Sequence, residues 1–139
     1  MILQITTPIF MTRILDLARE VPDVPYDVLN KMILAGINDK DSIIYIDEKE
    51  GIVNGFIYAS KERWNGEDVC FIQFCVIKPN KDFDDTNEKY IGYEFMNKMR
   101  LWAKEKELKN LIMVTKRNPK LYERKYQFKQ DGVILKRSV

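Results

Sequence analysis

Apolar positions along this chain recur with two periods, and the switches between them mark its elements. Residues 2–5 (Ile-Leu-Gln-Ile) are a short strand candidate, closed by Thr6, Thr7 and Pro8. Phe10, Ile14, Leu17, Ala18 and Val21 then return at helical spacing, until Pro22 and Pro25 end the run. Pro25 suits the first turn of a second helix, where a missing N–H costs nothing. Tyr26, Leu29, Ile33 and Ile37 form the apolar face of that helix, and Gly36 fits its C-terminal cap. Residues 42–47 and 52–60, separated by Glu48-Lys49-Glu50-Gly51, read as a hairpin. A polar link over 61–68 leads into 69–77, the most apolar strand, which belongs at the centre of a sheet with both faces covered.

An acidic stretch with Asp82, Asp84 and Asp85 follows, and Thr86 or Asn87 caps the next helix. Ile91, Phe95, Met99 and Trp102 are its apolar stripe, with charges on the opposite side. Residues 111–115 form another strand, Asn118-Pro119 opens a short helix to about Tyr126, and 132–136 closes the chain as a strand. The order is β-α-α-β-β-β-α-β-α-β. A hairpin feeding a central strand, then a helical crossover to a parallel neighbour, makes a mixed α/β (α+β) sheet with helices on both faces.

Length and composition narrow the class. At 139 residues one domain spanning 1–139 is expected, and 45% apolar against 32% charged residues describes an ordinary globular chain. A net charge of +2 from 23 basic and 21 acidic residues calls for no nucleic-acid or membrane partner. Cys70 and Cys75 lie five residues apart in one strand, roughly 16 Å at a rise of ~3.3 Å per residue, too far for a disulfide. The strand period of two puts them on opposite faces. Buried thiols, no membrane-length apolar run and no basic leader point to a cytoplasmic protein. There is no histidine, which removes imidazole bases, His-based triads and the common zinc sites.

The stretch from Val69 onward carries a family resemblance. Val76-x-x-Pro79 leaves the central strand, Gly92 sits in the first turn of the long helix, and Leu121-Tyr122-Glu123-Arg124 precedes Phe128. This order resembles the GNAT family, the acetyl-CoA-dependent N-acetyltransferases. The Arg117-Asn118-Pro119 and Arg124-Lys125-Tyr126-x-Phe128 ending is similar to GNAT-like proteins encoded by bacteriophages. The resemblance implies a GNAT-like mixed sheet and acetyl transfer from acetyl-CoA, as co-substrate, to the primary amine of a small-molecule or peptide acceptor. Its phosphate-binding motif, Arg/Gln-x-x-Gly-x-Gly/Ala, falls on Asn87, Glu88, Lys89, Tyr90, Ile91 and Gly92. Gly92 keeps the last small residue, Asn87 stands for Arg or Gln, Tyr90 replaces the inner glycine, and Glu88 adds a charge that repels phosphate.

By the same resemblance, backbone N–H groups near Cys75, Val76 and Ile77 polarise the thioester and Tyr122 is the general acid. Tyr122 to Phe128 spans six positions where the family has five, and Gln127 replaces a glycine. Glu67 and Gln73 are the candidates near the base, and Tyr45, Tyr58 and Trp64 are candidate pocket aromatics. Each residue also has a plain structural account: a helix cap at Asn87, a packed tyrosine ring, a solvated strand start at Glu67. The basic group Lys116, Arg117, Lys120, Arg124 and Lys125 reads as a solvated helix face. A non-catalytic binding or assembly module on the same fold is the rival function.

Overall fold

A computed structural model describes residues 1–19, 26–78, 86–115, 119–132 and 134–138, with the backbone alone at 86–90 and at 121. Strands β1 (Ile2–Gln4), β2 (Ser42–Lys49), β3 (Ile52–Trp64), β4 (Glu67–Ile77) and β5 (Leu111–Met113) stand in that order in one sheet. β1 to β4 pair antiparallel, and β5 joins β4 in parallel. A parallel neighbour requires a crossover, which contains helix α3 (Thr86–Glu105). Helices α1 (Met11–Arg19) and α2 (Tyr26–Ile37) cover one face, with Ile14, Leu29 and Ile33 packed among Ile44, Ile46 and Phe56. On the other face Phe95, Met99 and Trp102 of α3 meet Ile57, Cys70 and Ile72. Helix α4 (Pro119–Tyr126) lies beside α3. The expected mixed sheet with helices on both faces is therefore present.

Four local expectations need correction. The polar link over 61–68 is instead the extension of two strands, joined at Asn65 and Gly66 with φ of 48° and 82°. Left-handed backbone at both positions is what a two-residue hairpin turn needs to match strand twist. Gly36 lies inside α2 rather than at its cap; an added Cβ there would meet the Tyr58 ring, 2.8 Å from its hydroxyl. Among the described residues of the expected closing strand no strand is present, and Ile134 and Leu135 are 62% and 89% exposed. Strand propensity there finds no ladder partner among the described residues, and propensity is mostly packing against neighbours.

The fourth correction concerns the cysteines. Tyr58 pairs with Phe74 but Ala59 pairs with Ile72, so Gln73 is an extra residue in β4, a bulge. One inserted residue shifts the side-chain phase. Cys70 and Cys75 consequently face the same α3-covered core rather than opposite faces. Cys70 is fully buried, and burial pushes its thiol up to about 12.

Candidate functional site

The bulge and the end of β5 together shape the site. The β4–β5 ladder runs only from Cys70 opposite Leu111 to Ile72 opposite Met113. Beyond it β4 continues to Ile77, still paired to β3, so the two parallel neighbours part at Gln73. Backbone direction along this end follows from one bond: Lys78 N–H donates to Asn54 O at 2.7 Å, toward β3. Since N–H groups alternate sides along a strand, those of Ile77 and Cys75 are directed to the β5 side. The N–H of Val76, expected to act with them, is directed to β3 by the same alternation.

The opening of α3 differs from the expectation. The helix begins at Thr86, so Asn87, Glu88, Lys89, Tyr90, Ile91 and Gly92 are all helical. The N–H groups without intrahelical partners are those of the first four residues, 86–89. Gly92 sits in the second turn, not the first. What stands against it is Tyr126: an added Cβ would meet the Tyr126 hydroxyl and lie 2.8 Å from its Cζ. Gly92 thus serves close packing between α3 and α4. The side chains of Asn87, Glu88, Lys89 and Tyr90, along with Pro79, Lys81, the aspartates of 82–85, Lys116 and Arg117, lie outside the described residues.

The tyrosines of α4 form a stack that reaches this region. Tyr126 and Phe128 pack against the α3-side core, as do Cys75, Ile77 and Ile91. Tyr122, one turn back on the same helix face, contacts the rings of Tyr126 and Phe128 at 6.1 and 6.4 Å. Tyr126, which the sequence reading passed over, is the residue carried to the α3 surface at Gly92. Gln127 stands in left-handed backbone with φ of 60°, which accounts for the glycine usual there.

The base candidates separate. Glu67 begins β4 and accepts a hydrogen bond of 2.8 Å from Asn110 Nδ2. Six residues from the bulge at ~3.3 Å each, it lies roughly 20 Å along the strand from Gln73. Gln73 is at the parting itself. Its Nε2 donates to Ser60 Oγ at 3.0 Å, and Ser60 Oγ donates to Glu62 Oε1 at 2.9 Å. Ser60 and Glu62 were not singled out from the sequence. Their spacing of two on β3 is ordinary, and only the cross-strand register brings Gln73 to them.

The pocket aromatics do not share one pocket. Tyr58 is buried under α2, and Trp64 meets Phe71 at 5.9 Å near the hairpin tip. Tyr45 lies on the α3 side, where burial and then the Glu105 carboxylate push its hydroxyl up. It lines a cavity of about 290 Å³ with Trp102, Glu105 and Asp39, on the β1–β2 edge and two strands from β4. Lys120 and Arg124 are exposed and Lys125 is half-buried. Among the described residues no helix is long and apolar enough to cross a membrane, and no group of acidic or sulfur ligands is gathered for a metal.

A mixed sheet whose fourth strand bulges and parts from a parallel fifth beside a long helix is the GNAT-type fold. Solved structures bear this out. The apo aminoglycoside antibiotic 6'-N-acetyltransferase from Acinetobacter haemolyticus matches with a TM-score of 0.79 at 12% identity, covering 100% of this chain and 97% of its own. A predicted acetyltransferase from Clostridium acetobutylicum, solved with acetyl-CoA, matches at 0.75 and 10% identity over 99% of this chain and 96% of its own. A transcriptional regulator from Bacillus halodurans matches at 0.75 and 15% identity, over 100% and 99%. No protein-family model and no curated protein sequence matches the chain.

Proposed function

We propose that this protein is an N-acetyltransferase that moves an acetyl group from acetyl-CoA to a primary amine by direct attack. The observation that carries the reading is the parting of β4 from β5 at the Gln73 bulge, with the N–H groups of Cys75 and Ile77 directed into it. Such a wedge suits a linear acyl carrier, and the first-turn N–H groups of α3 suit its phosphates. When bound, acetyl-CoA supplies an activated thioester. The chain's own residues do the rest. Cys75 and Ile77 backbone donors face the position of the acyl oxygen, where developing negative charge is stabilised. Gln73, which cannot take a proton, binds the amine, and the ammonium proton passes to solvent. Tyr122 Oη is the proton donor, with Tyr126 against it as the second tyrosine of the same stack.

The acceptor is a small-molecule or peptide amine, a reading supported by the fold neighbours that are N-acetyltransferases of amine-bearing antibiotics. A second reading, a binding module without catalysis, is favoured by Gly92, whose small size is already used by Tyr126. Calorimetric titration of acetyl-CoA separates the two. Micromolar binding is expected, and a ligand at about 100 times its dissociation constant adds about 2.7 kcal/mol to unfolding stability. No heat and no thermal shift at millimolar acetyl-CoA would sink the enzyme reading and leave the module.

A further inference from the structure

We infer that Glu62, acting through Ser60, sets the orientation of the Gln73 carboxamide and so makes this end of the wedge selective for a hydrogen-bond donor, a primary ammonium. The inference deepens the acetyl-transfer reading and rests on it for the word acceptor.

The reasoning is one of donor polarity. Glu62 is an exposed carboxylate and can only accept. Ser60 is 6% exposed, so its hydroxyl needs partners within the fold, and its single proton goes to Glu62 Oε1 at 2.9 Å. The serine oxygen then has only lone pairs left to offer. Gln73 must therefore turn its NH₂ toward Ser60, as it does at 3.0 Å, and its Oε1 becomes the outer end of the chain. With one of the two carboxamide N–H groups taken by Ser60, the oxygen is the group left to accept from an N–H. Gln73 is the bulged residue, at the level where the β4–β5 ladder ends. The same carboxylate that polarises the chain adds negative potential on that side, which favours a cation.

Glu62 is thus a positioning residue, and reversing its polarity is a sharper test than deleting it. Lysine at 62 donates to Ser60 Oγ, Ser60 then donates to Gln73 Oε1, and the carboxamide presents NH₂ instead of oxygen. Glu62→Gln still offers a carbonyl oxygen to Ser60 and serves as the rescue control. The probe is butylammonium without acetyl-CoA, followed by the side-chain amide signals of Gln73 in nitrogen-15 spectra. In the wild type these signals should shift saturably, with Glu62→Gln within about threefold in affinity and Glu62→Lys weaker by about tenfold or more. In turnover assays KM for the amine should rise in Glu62→Lys while KM for acetyl-CoA and Tm stay put. Amine binding equal in Glu62→Lys and wild type, or a Gln73 amide that does not respond to butylammonium, would overturn the inference. The two readings fail separately: an amine response without acetyl-CoA binding leaves the subsite and removes the enzyme, whereas turnover indifferent to Glu62→Lys leaves the enzyme and removes the relay.

Discussion

At Gly92 one missing methyl group decides how α3 and α4 meet. The Tyr126 ring edge and hydroxyl occupy the space a Cβ would need. Gly92→Ala should cost about 1–3 kcal/mol through overpacking, although alanine is the better helix former by about 1 kcal/mol. In a Tyr126→Ala background the same substitution should be neutral or stabilising. Urea unfolding of the four proteins in this cycle reads the coupling, and additive effects would show that the two residues do not meet. Cys70 offers a second test. Its folded pKa is raised to about 12, whereas the ordinary thiol value is 9.0. Between those values the unfolded chain releases a proton that the folded chain keeps, so stability falls as pH rises, by about 1.4 kcal/mol per unit. The stability gap between wild type and Cys70→Ala should narrow by roughly 2 kcal/mol between about pH 8 and about pH 10.5. A gap that stays constant would mean the folded thiol ionises like an exposed one.

Elements here end for reasons that can be tested one residue at a time. Leu108 N–H bonds Ala103 O at 2.8 Å and Glu107 N–H bonds Lys104 O at 3.1 Å, with Glu107 at φ 59°. This is the paired closure that ends a helix through one left-handed residue, and Leu108 then turns into the core. Glutamate is a poor occupant of that backbone. Glu107→Gly should raise stability by about 0.5–1 kcal/mol, seen as a higher urea midpoint at unchanged slope. A lower midpoint would show that the Glu107 side chain contributes more than its backbone strain removes. Most elements were legible beforehand because their periods are local properties: the Ile91, Phe95, Met99, Trp102 stripe packs as its spacing required. The position of the bulge at Gln73 was not. An extra residue in a strand leaves no mark in its own sequence, since it exists only relative to the partner's register. For the same reason the cysteines changed faces and the Ser60–Glu62 pair went unnoticed.

Across the molecule, sheet order and the two-sided covering follow from sequence pattern, while the site follows from where strands cease to pair. Apolar spacing, prolines and the absence of histidine determined the kind of sheet, its first hairpin and the chemistry that is ruled out. These are short-range quantities, each written in a few consecutive residues. The closing strand could not be decided that way, because Ile134 and Leu135 have strand character but no ladder to join among the described residues. The tertiary structure alone decided that β5 stops at Met113, that Gln73 is the bulged residue and that Glu67 is carried away from it. It also decided that Tyr126 takes the space beside Gly92. The physical reason is common to all four: register, parting of strands and close approach are relations between distant segments, and they exist only once the sheet has formed.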